Sequence, residues 1–101
     1  MLHIAICDDE KNFVAYLSDL LKQYAAETGE EIRITPYYDG MDLAEGYDTT
    51  IDLIFLDIQM RLMDGLKTAE HIRRLDENVG IIFLTTLTRY GLEGYQYQAF
   101  D

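Results

Sequence analysis

The segment 51–57 (IDLIFLD) constrains the fold of this chain more than any other part of the sequence. It is a short run of branched and aromatic apolar residues that ends in a carboxylate. A run of this length and composition is typical of a strand buried on both faces of a parallel sheet. In open α/β sheets, ligands bind just beyond the carboxyl ends of the strands. Asp57 lies at such an end, so it is the leading candidate for a functional residue.

The rest of the chain alternates between strand and helix patterns, which predicts an α/β domain with a parallel sheet covered by helices on both faces. Apolar runs predict strands at 2–7, 31–37, 51–56 and 81–84. Apolar residues at helical spacing predict helices at 11–28, 41–47, 66–75 and 89–99. The residues expected to face the core from the first helix are Phe13, Leu17, Leu20, Leu21 and Tyr24. Those expected from the third helix are Leu66, Ala69 and Ile72.

Composition limits the kinds of partner that this segment can have. Of its 101 residues, 49% are hydrophobic, which is typical of one globular domain. The 8 Lys and Arg residues against 19 Asp and Glu give a net charge of −11, which argues against direct binding of nucleic acid or of an anionic membrane. Cys7 is the single cysteine and lies in an apolar run, so we expect a core thiol and a cytoplasmic protein.

Polar residues follow three of the predicted strands at the point where each strand ends. Asp8, Asp9 and Glu10 follow the first strand, Asp57 ends the third, and Thr85 follows the fourth. The carboxyl ends of parallel strands meet at one edge of a sheet, so these side chains are expected to share a crevice. Clustered carboxylates repel, and a Mg²⁺ ion, which prefers oxygen ligands, relieves that repulsion. The pattern indicates phosphoryl transfer onto a carboxylate, with Asp57 as the nucleophile.

Each of these residues also has an ordinary interpretation. The acids after the first strand suit the start of a helix, Asp57 alone is compatible with a loop acid, and Thr85 alone with a threonine at a strand end. The combination is more specific than any member, because all of them are predicted at the same edge.

The sequence resembles the receiver domain of bacterial two-component response regulators. The matching pieces are the acidic pair Asp8-Asp9, the run 52–60 (DLIFLDIQM), the run 63–65 (MDG) and the run 81–85 (IIFLT), in that order and at specific spacing. The resemblance covers the whole chain. It implies a flavodoxin-like, doubly wound parallel sheet with strand order 2-1-3-4-5.

The resemblance also implies a role for each site residue. Asp57 would accept a phosphoryl group from a sensor histidine kinase, and Thr85 would be the switch hydroxyl that moves towards it. Asp9 would bind Mg²⁺ directly, Asp8 mainly through water, and the backbone carbonyl of Gln59 and the carboxylate of Asp57 would complete the protein ligands. The segment 85–101 is most similar to receivers that precede a LytTR-type DNA-binding domain, which implies transcription regulation through an output domain.

Three features depart from the pattern of the family. Arg61 stands where the family usually has proline, so the loop after Asp57 is expected to be looser. Thr86 replaces a smaller residue and is expected to narrow access to the phosphoryl group. The fifth strand, the phosphate-binding lysine and the last helix are expected after Asp101, which makes 1–101 a receiver domain that is incomplete at its C-terminus. Such a domain is expected to be unstable, or to self-associate through its fourth strand as a homodimer or a strand-exchanged assembly.

Two other functions remain open from the sequence. One is an interaction module that keeps the fold and signals without phosphate, which the expected lack of the lysine favours and the full set of acids disfavours. The other is a Mg²⁺-dependent phosphohydrolase with an aspartyl intermediate. Such enzymes commonly carry a second acid two residues after the nucleophile, where this chain has Gln59. The receiver interpretation implies a phosphoacceptor rather than a turnover enzyme.

Overall fold

The structure is a computed structural model that describes residues 1–85. Its elements, in chain order, are β1 (Leu2–Cys7), α1 (Lys11–Thr28), β2 (Ile32–Tyr37), α2 (Gly40–Glu45), β3 (Leu53–Asp57), α3 (Gly65–Leu75) and β4 (Gly80–Leu84). Every boundary lies within two residues of the position that the sequence predicts. The helix predicted at 89–99 lies outside the described residues.

The four strands form one parallel sheet in the order β2-β1-β3-β4. This confirms the predicted flavodoxin-like arrangement for the described strands, and the fifth strand stays a prediction. The chain moves outward from β1 to β2 and then crosses back to β3, so the strand order reverses between β1 and β3. A reversal of this kind opens a crevice at the carboxyl ends of the two central strands.

Side chains that alternate along the central strands pack against helices on both faces of the sheet. One face of the sheet packs on α1 and forms a cluster of Ile4, Ile6, Phe13, Val14, Leu17 and Leu84. The other face carries α2 and α3 and forms a cluster of Ala5, Cys7, Leu43, Ile51, Ile54, Leu56, Ile72 and Val79. The core position predicted for Cys7 is confirmed, because this thiol is fully buried. The central strands are therefore buried on both sides, as their continuous apolar sequences indicate.

The buried face of α1 differs in part from the predicted one. Phe13 and Leu17 are buried as expected, whereas Leu20 is 37% exposed and Tyr24 is 63% exposed. Val14 and Ala25 take their place in the core. The line of contact therefore drifts around the helix along its length, and a straight apolar stripe drawn from the sequence does not follow that drift.

The buried face of α3 also differs from the predicted one. Ile72 is fully buried, but Leu66 is 56% exposed, and Gly65 and Thr68 line the buried face instead. The hydroxyl of Thr68 donates to the carbonyl of Asp64 at 2.7 Å, so this polar side chain is satisfied inside the interface. Small residues let α3 lie close to the end of β3 at Gly65 and close to Gly40 of α2 at Thr68, and the prediction overlooked both because it counted only apolar side chains.

Candidate functional site

Three carboxylates meet at the crevice between β1 and β3. Asp8 and Asp9 directly follow β1, and Asp57 is the last residue of β3. One oxygen from each of the three lies within 4.8 Å of the others. Asp8 is fully buried, Asp57 is 5% exposed, and Asp9 is exposed to solvent. The structure thus brings together the three acids that the sequence predicted, while Glu10 is exposed and occupies the N-cap position of α1.

Backbone hydrogen bonds fix the positions of the two buried carboxylates. The N–H of Asp8 donates to the carbonyl of Tyr37 at 3.0 Å, which extends the sheet ladder one residue past β1. The carboxylate of Asp8 accepts from the N–H of Glu10 at 2.9 Å, and that of Asp57 accepts from the N–H of Gln59 at 3.4 Å. Cys7 pairs with the residue before Asp57 in the parallel register, so Asp8 and Asp57 lie at the same level of the sheet.

A cleft of about 210 Å³ adjoins the carboxylates on the β4 side. Asp57, Ile58, Gln59, Leu84 and Thr85 line it. Asp57 pairs with Leu84, so Thr85 lies one residue beyond this pair, at the same edge of the sheet. Thr85, the predicted switch hydroxyl, and Gln59, the predicted backbone ligand, therefore border the same cleft as Asp57.

The first residue of α3 packs directly on the backbone of Asp57. The N–H of Gly65 donates to the carbonyl of Ile58 at 2.7 Å, which closes the loop between β3 and α3. A Cβ added at Gly65 would collide with the carbonyl oxygen of Asp57 and would lie 2.8 Å from the Cα of Ile58. Only glycine fits this approach, so the Asp-Gly pair at 64–65 does more than mark a turn.

A buried carboxylate that the sequence prediction missed holds the same loop from another side. Asp39 is 7% exposed and accepts hydrogen bonds from the N–H groups of Met41 at 2.9 Å, Leu62 at 3.0 Å and Met63 at 3.2 Å. Burial raises the pKa of Asp39, but these N–H groups and that of Arg61 lower it, and the net pKa lies below the ordinary value. The residue is therefore a charged anchor for the β3–α3 loop. Its signal in the sequence was only an Asp-Gly pair before a helix, which also indicates an N-cap.

The donor set at the crevice fits a hard divalent cation. Mg²⁺ binds oxygen at 2.0–2.1 Å, so two oxygens on one ion are at most about 4.2 Å apart. The oxygens of Asp8, Asp9 and Asp57 lie within 4.8 Å of one another, so a side-chain movement of less than about 1 Å would bring them to that spacing. Softer sites use sulfur or imidazole ligands, and none of these three acids supplies one.

The family model and the curated relatives that match this chain all belong to response regulators. The family model for the response regulator receiver domain matches residues 4–101. The chain is similar to the sensory transduction protein LytT of Oceanobacillus iheyensis, with 31% identity over 99% of this chain and 40% of that protein. It is also similar to the transcriptional regulatory protein YpdB of Escherichia coli, with 29% identity over 99% of this chain and 40% of that protein. The chain thus spans about 40% of the length of these curated relatives.

Solved structures agree with the same fold. The response regulator TrrA of Thermotoga maritima, solved in complex with Mg²⁺ and BeF, has a TM-score of 0.67 and 32% identity, covering 89% of this chain and 74% of its own. A CheX–CheY–BeF3–Mg²⁺ complex of Borrelia burgdorferi has a TM-score of 0.64 and 26% identity, covering 97% of this chain and 69% of its own.

Among residues 1–85, the structure contains no helix that is both long and apolar enough to cross a membrane.

Proposed function

This chain belongs to the response regulator receiver domains, the signalling domains of two-component systems, and we propose that its Asp57 accepts a phosphoryl group from a sensor histidine kinase. One observation carries the assignment: Asp57 ends the central strand β3 within 4.8 Å of Asp8 and Asp9, beside an open cleft. Asp57 is the member of this group that also lines the cleft, which is where a phosphoryl donor has room to approach.

In the proposed transfer, a carboxylate oxygen of Asp57 attacks the phosphorus of a phosphohistidine. The new O–P bond forms as the P–N bond breaks, and the imidazole leaves with the electron pair and takes up a proton. The product is an aspartyl phosphate, which carries more negative charge than the carboxylate it replaces. Because Asp57 is fixed at a strand end, the chain contributes mainly position and orientation to this step.

We propose that Asp8, Asp9, Asp57 and the backbone carbonyl of Gln59 hold a Mg²⁺ ion. When bound, this ion neutralises charge on the phosphoryl group and on the clustered acids. The related TrrA structure, solved with Mg²⁺ and BeF, supports this assignment. Asp8 is held by the N–H of Glu10, so one of its oxygens is already oriented before any ion arrives.

We propose Thr85 as the group that reports phosphorylation to the rest of the domain. It lines the same cleft as Asp57 and follows the residue that pairs with it across the sheet. Its hydroxyl would donate to a phosphoryl oxygen. That bond is available only in the phosphorylated state, so it would shift the conformational population of the segment that follows β4.

We also propose that the chain is the receiver part of a LytTR-type transcriptional regulator that works in the cytoplasm. The relatives YpdB and LytT, described as a transcriptional regulatory protein and a sensory transduction protein, support this role. Self-association as a homodimer or by strand exchange stays a prediction, which sedimentation before and after phosphorylation would test.

The phosphoacceptor assignment is tested by incubating the chain with Mg²⁺ and acetyl phosphate and measuring its intact mass. We expect the addition of one phosphoryl group, and we expect no addition for Asp57→Asn. The matched control is Asp52→Asn, because Asp52 precedes β3 at the opposite end of the same strand and accepts from the N–H of His3 at 2.8 Å. Equal labelling of Asp57→Asn and the native chain would refute the assignment.

A further inference from the structure

We infer that Asp39 is a positioning residue for the phosphorylation site, because it holds the β3–α3 loop that carries Gln59, the proposed backbone ligand for Mg²⁺, beside Asp57. The inference deepens the proposed function and rests on it. Asp39 belongs to neither β3 nor α3. It lies between β2 and α2, so it contacts the loop from a separate part of the chain.

The contacts of Asp39 divide between two tasks. Its Oδ2 accepts from the N–H of Met41 at 2.9 Å, which caps α2, and from the N–H of Met63 at 3.2 Å. Its Oδ1 accepts from the N–H of Leu62 at 3.0 Å. A helix of six residues needs only one capping oxygen, so the second oxygen is committed to the loop.

Close packing beside Asp39 ties the same two segments together. A Cβ at Gly40 would collide with the carbonyl oxygen of Met63 and the hydroxyl of Thr68, and would lie 3.3 Å from the Cε of Met60. The sulfur of Met60 in turn contacts the thiol of Cys7 at 3.6 Å. The loop is therefore held against α2, α3 and β1, directly after the residue whose carbonyl is the proposed ligand.

The anchor also gives a physical reason for Arg61, which stands where the resemblance implies proline. The backbone N–H of Arg61 is one of the groups that lower the pKa of Asp39, and proline has no N–H to supply. A proline would stiffen the loop by fixing φ. In this chain the loop is instead held by a residue outside it, because the carboxylate of Asp39 accepts from the successive N–H groups of Leu62 and Met63. The looser loop expected from the sequence is thus compensated by Asp39.

The test uses two substitutions that keep a helix N-cap and weaken or remove the loop contacts. In Asp39→Asn the side-chain oxygen can still accept from the N–H groups of Met41 and Met63, but the amide group presents N–H donors to the N–H of Leu62, so that loop contact becomes repulsive. In Asp39→Ser the hydroxyl can cap α2 but is too short to reach the loop. Mg²⁺ affinity of the native chain and of both variants is measured by isothermal titration calorimetry, after circular dichroism confirms which variants are folded.

We expect the Mg²⁺ dissociation constant to rise about tenfold in each folded variant, as for other residues that orient metal ligands. Adding Arg61→Pro to Asp39→Asn should recover part of the lost affinity, because it removes one N–H and stiffens the loop. The matched control is Asp76→Asn. Asp76 also accepts from a backbone N–H, that of Asn78 at 3.0 Å, but it precedes β4 and lies away from the carboxyl end of that strand. Its substitution should leave the Mg²⁺ affinity unchanged.

Affinity within twofold of the native value in a folded Asp39 variant would overturn the inference. So would an equal loss in Asp76→Asn, or the absence of Mg²⁺ binding by the native chain. The first two outcomes leave the proposed function intact, whereas a native chain that binds no Mg²⁺ would also refute the proposed metal site. If the native chain is labelled at Asp57 while the Asp39 variants bind Mg²⁺ normally, only the positioning role is wrong; if the native chain is not labelled, the phosphoacceptor assignment is wrong.

Discussion

The backbone segments around the three carboxylates approach one another so closely that two positions accept no side chain. At Gly65 the obstacle is the backbone of Asp57, and at Gly40 it is the backbone of Met63 together with the side chain of Thr68. Neither glycine needs its conformational freedom, because neither has a positive φ. Gly65 lets α3 begin against the backbone of Asp57, and Gly40 lets α2 begin against the β3–α3 loop.

The substitution Gly65→Ala tests this close approach. The added Cβ must push α3 away from β3 or displace the backbone of Asp57 and Ile58, so we expect a loss of about 1–3 kcal/mol in the free energy of unfolding. We also expect slower labelling by acetyl phosphate. Urea unfolding and intact mass measure the two effects. In the control Gly46→Ala, the Cβ would meet only the carbonyl of Asp42 at 3.3 Å. Equal effects of the two substitutions would contradict the explanation.

Individual residues also differ in how far the sequence could predict them. The positions of Asp8 and Asp57 were predictable because each follows from a local pattern, an apolar run that ends in an acid. Asp39 was not predictable as a loop anchor, because its partners Leu62 and Met63 lie 23 and 24 residues further along the chain. Contacts of that kind depend on how α2 and the β3–α3 loop pack in three dimensions, and no periodicity encodes them.

At the scale of elements, the local sequence predicts the end of a helix more accurately than it predicts which face of the helix is buried. The end of α1 was predictable from Gly29, which adopts φ +79° and donates its N–H to the carbonyl of Ala25. Its buried face was only partly predictable, because Val14 and Ala25 are buried where Leu20 and Tyr24 were expected. A sequence pattern contains the 3.6-residue period of the helix but not the direction in which the helix lies on the sheet.

The cap of α1 gives a prediction at this scale. In Gly29→Ala the free energy of unfolding should fall by about 1 kcal/mol, because a Cβ is strained at positive φ. Crowding plays no part, since a Cβ there would meet nothing within 4 Å. Gly29→Asn should cause a smaller loss, because asparagine tolerates the left-handed region better than alanine. Urea unfolding of both variants measures the difference. An alanine variant as stable as the asparagine variant would show that backbone strain does not limit this cap.

At the scale of the whole molecule, we expect buried and half-buried titratable groups to limit the pH range in which the fold is stable. Burial raises the pKa of the Cys7 thiol, and the nearby carboxylates of Asp39 and Asp8 raise it further. Burial likewise raises the pKa of Tyr37 and Tyr47. A group whose pKa is raised on folding stabilises the folded state below its unfolded pKa, and that stabilisation is lost as the pH rises towards the folded pKa.

The ordinary pKa of the Cys7 thiol, which applies in the unfolded chain, is 9.0. We therefore expect the free energy of unfolding to decline above pH 9. The decline should become steeper above the ordinary tyrosine pKa of 10.0. Urea unfolding at a series of pH values measures it. Cys7→Ala should be less stable at neutral pH because it leaves a cavity, but between pH 9 and 10 its stability should fall less steeply than that of the native chain. The same slope in both proteins would rule out the thiol as the cause.

The three clustered acids add a second limit, because the fold holds negative charges together in a chain of net charge −11. Relieving that repulsion should stabilise the metal-free protein, so Asp57→Asn should raise its free energy of unfolding by roughly 1–3 kcal/mol. Mg²⁺ should have the opposite preference. At a hundred times its dissociation constant it should stabilise the native chain by about 2.7 kcal/mol and Asp57→Asn by much less. In thermal unfolding, Asp57→Asn should therefore be the more stable protein without Mg²⁺, and the native chain should be the more stable protein with Mg²⁺. If the native chain is the more stable of the two without Mg²⁺, the carboxylates do not destabilise the fold, and relief of their repulsion cannot be what favours the ion.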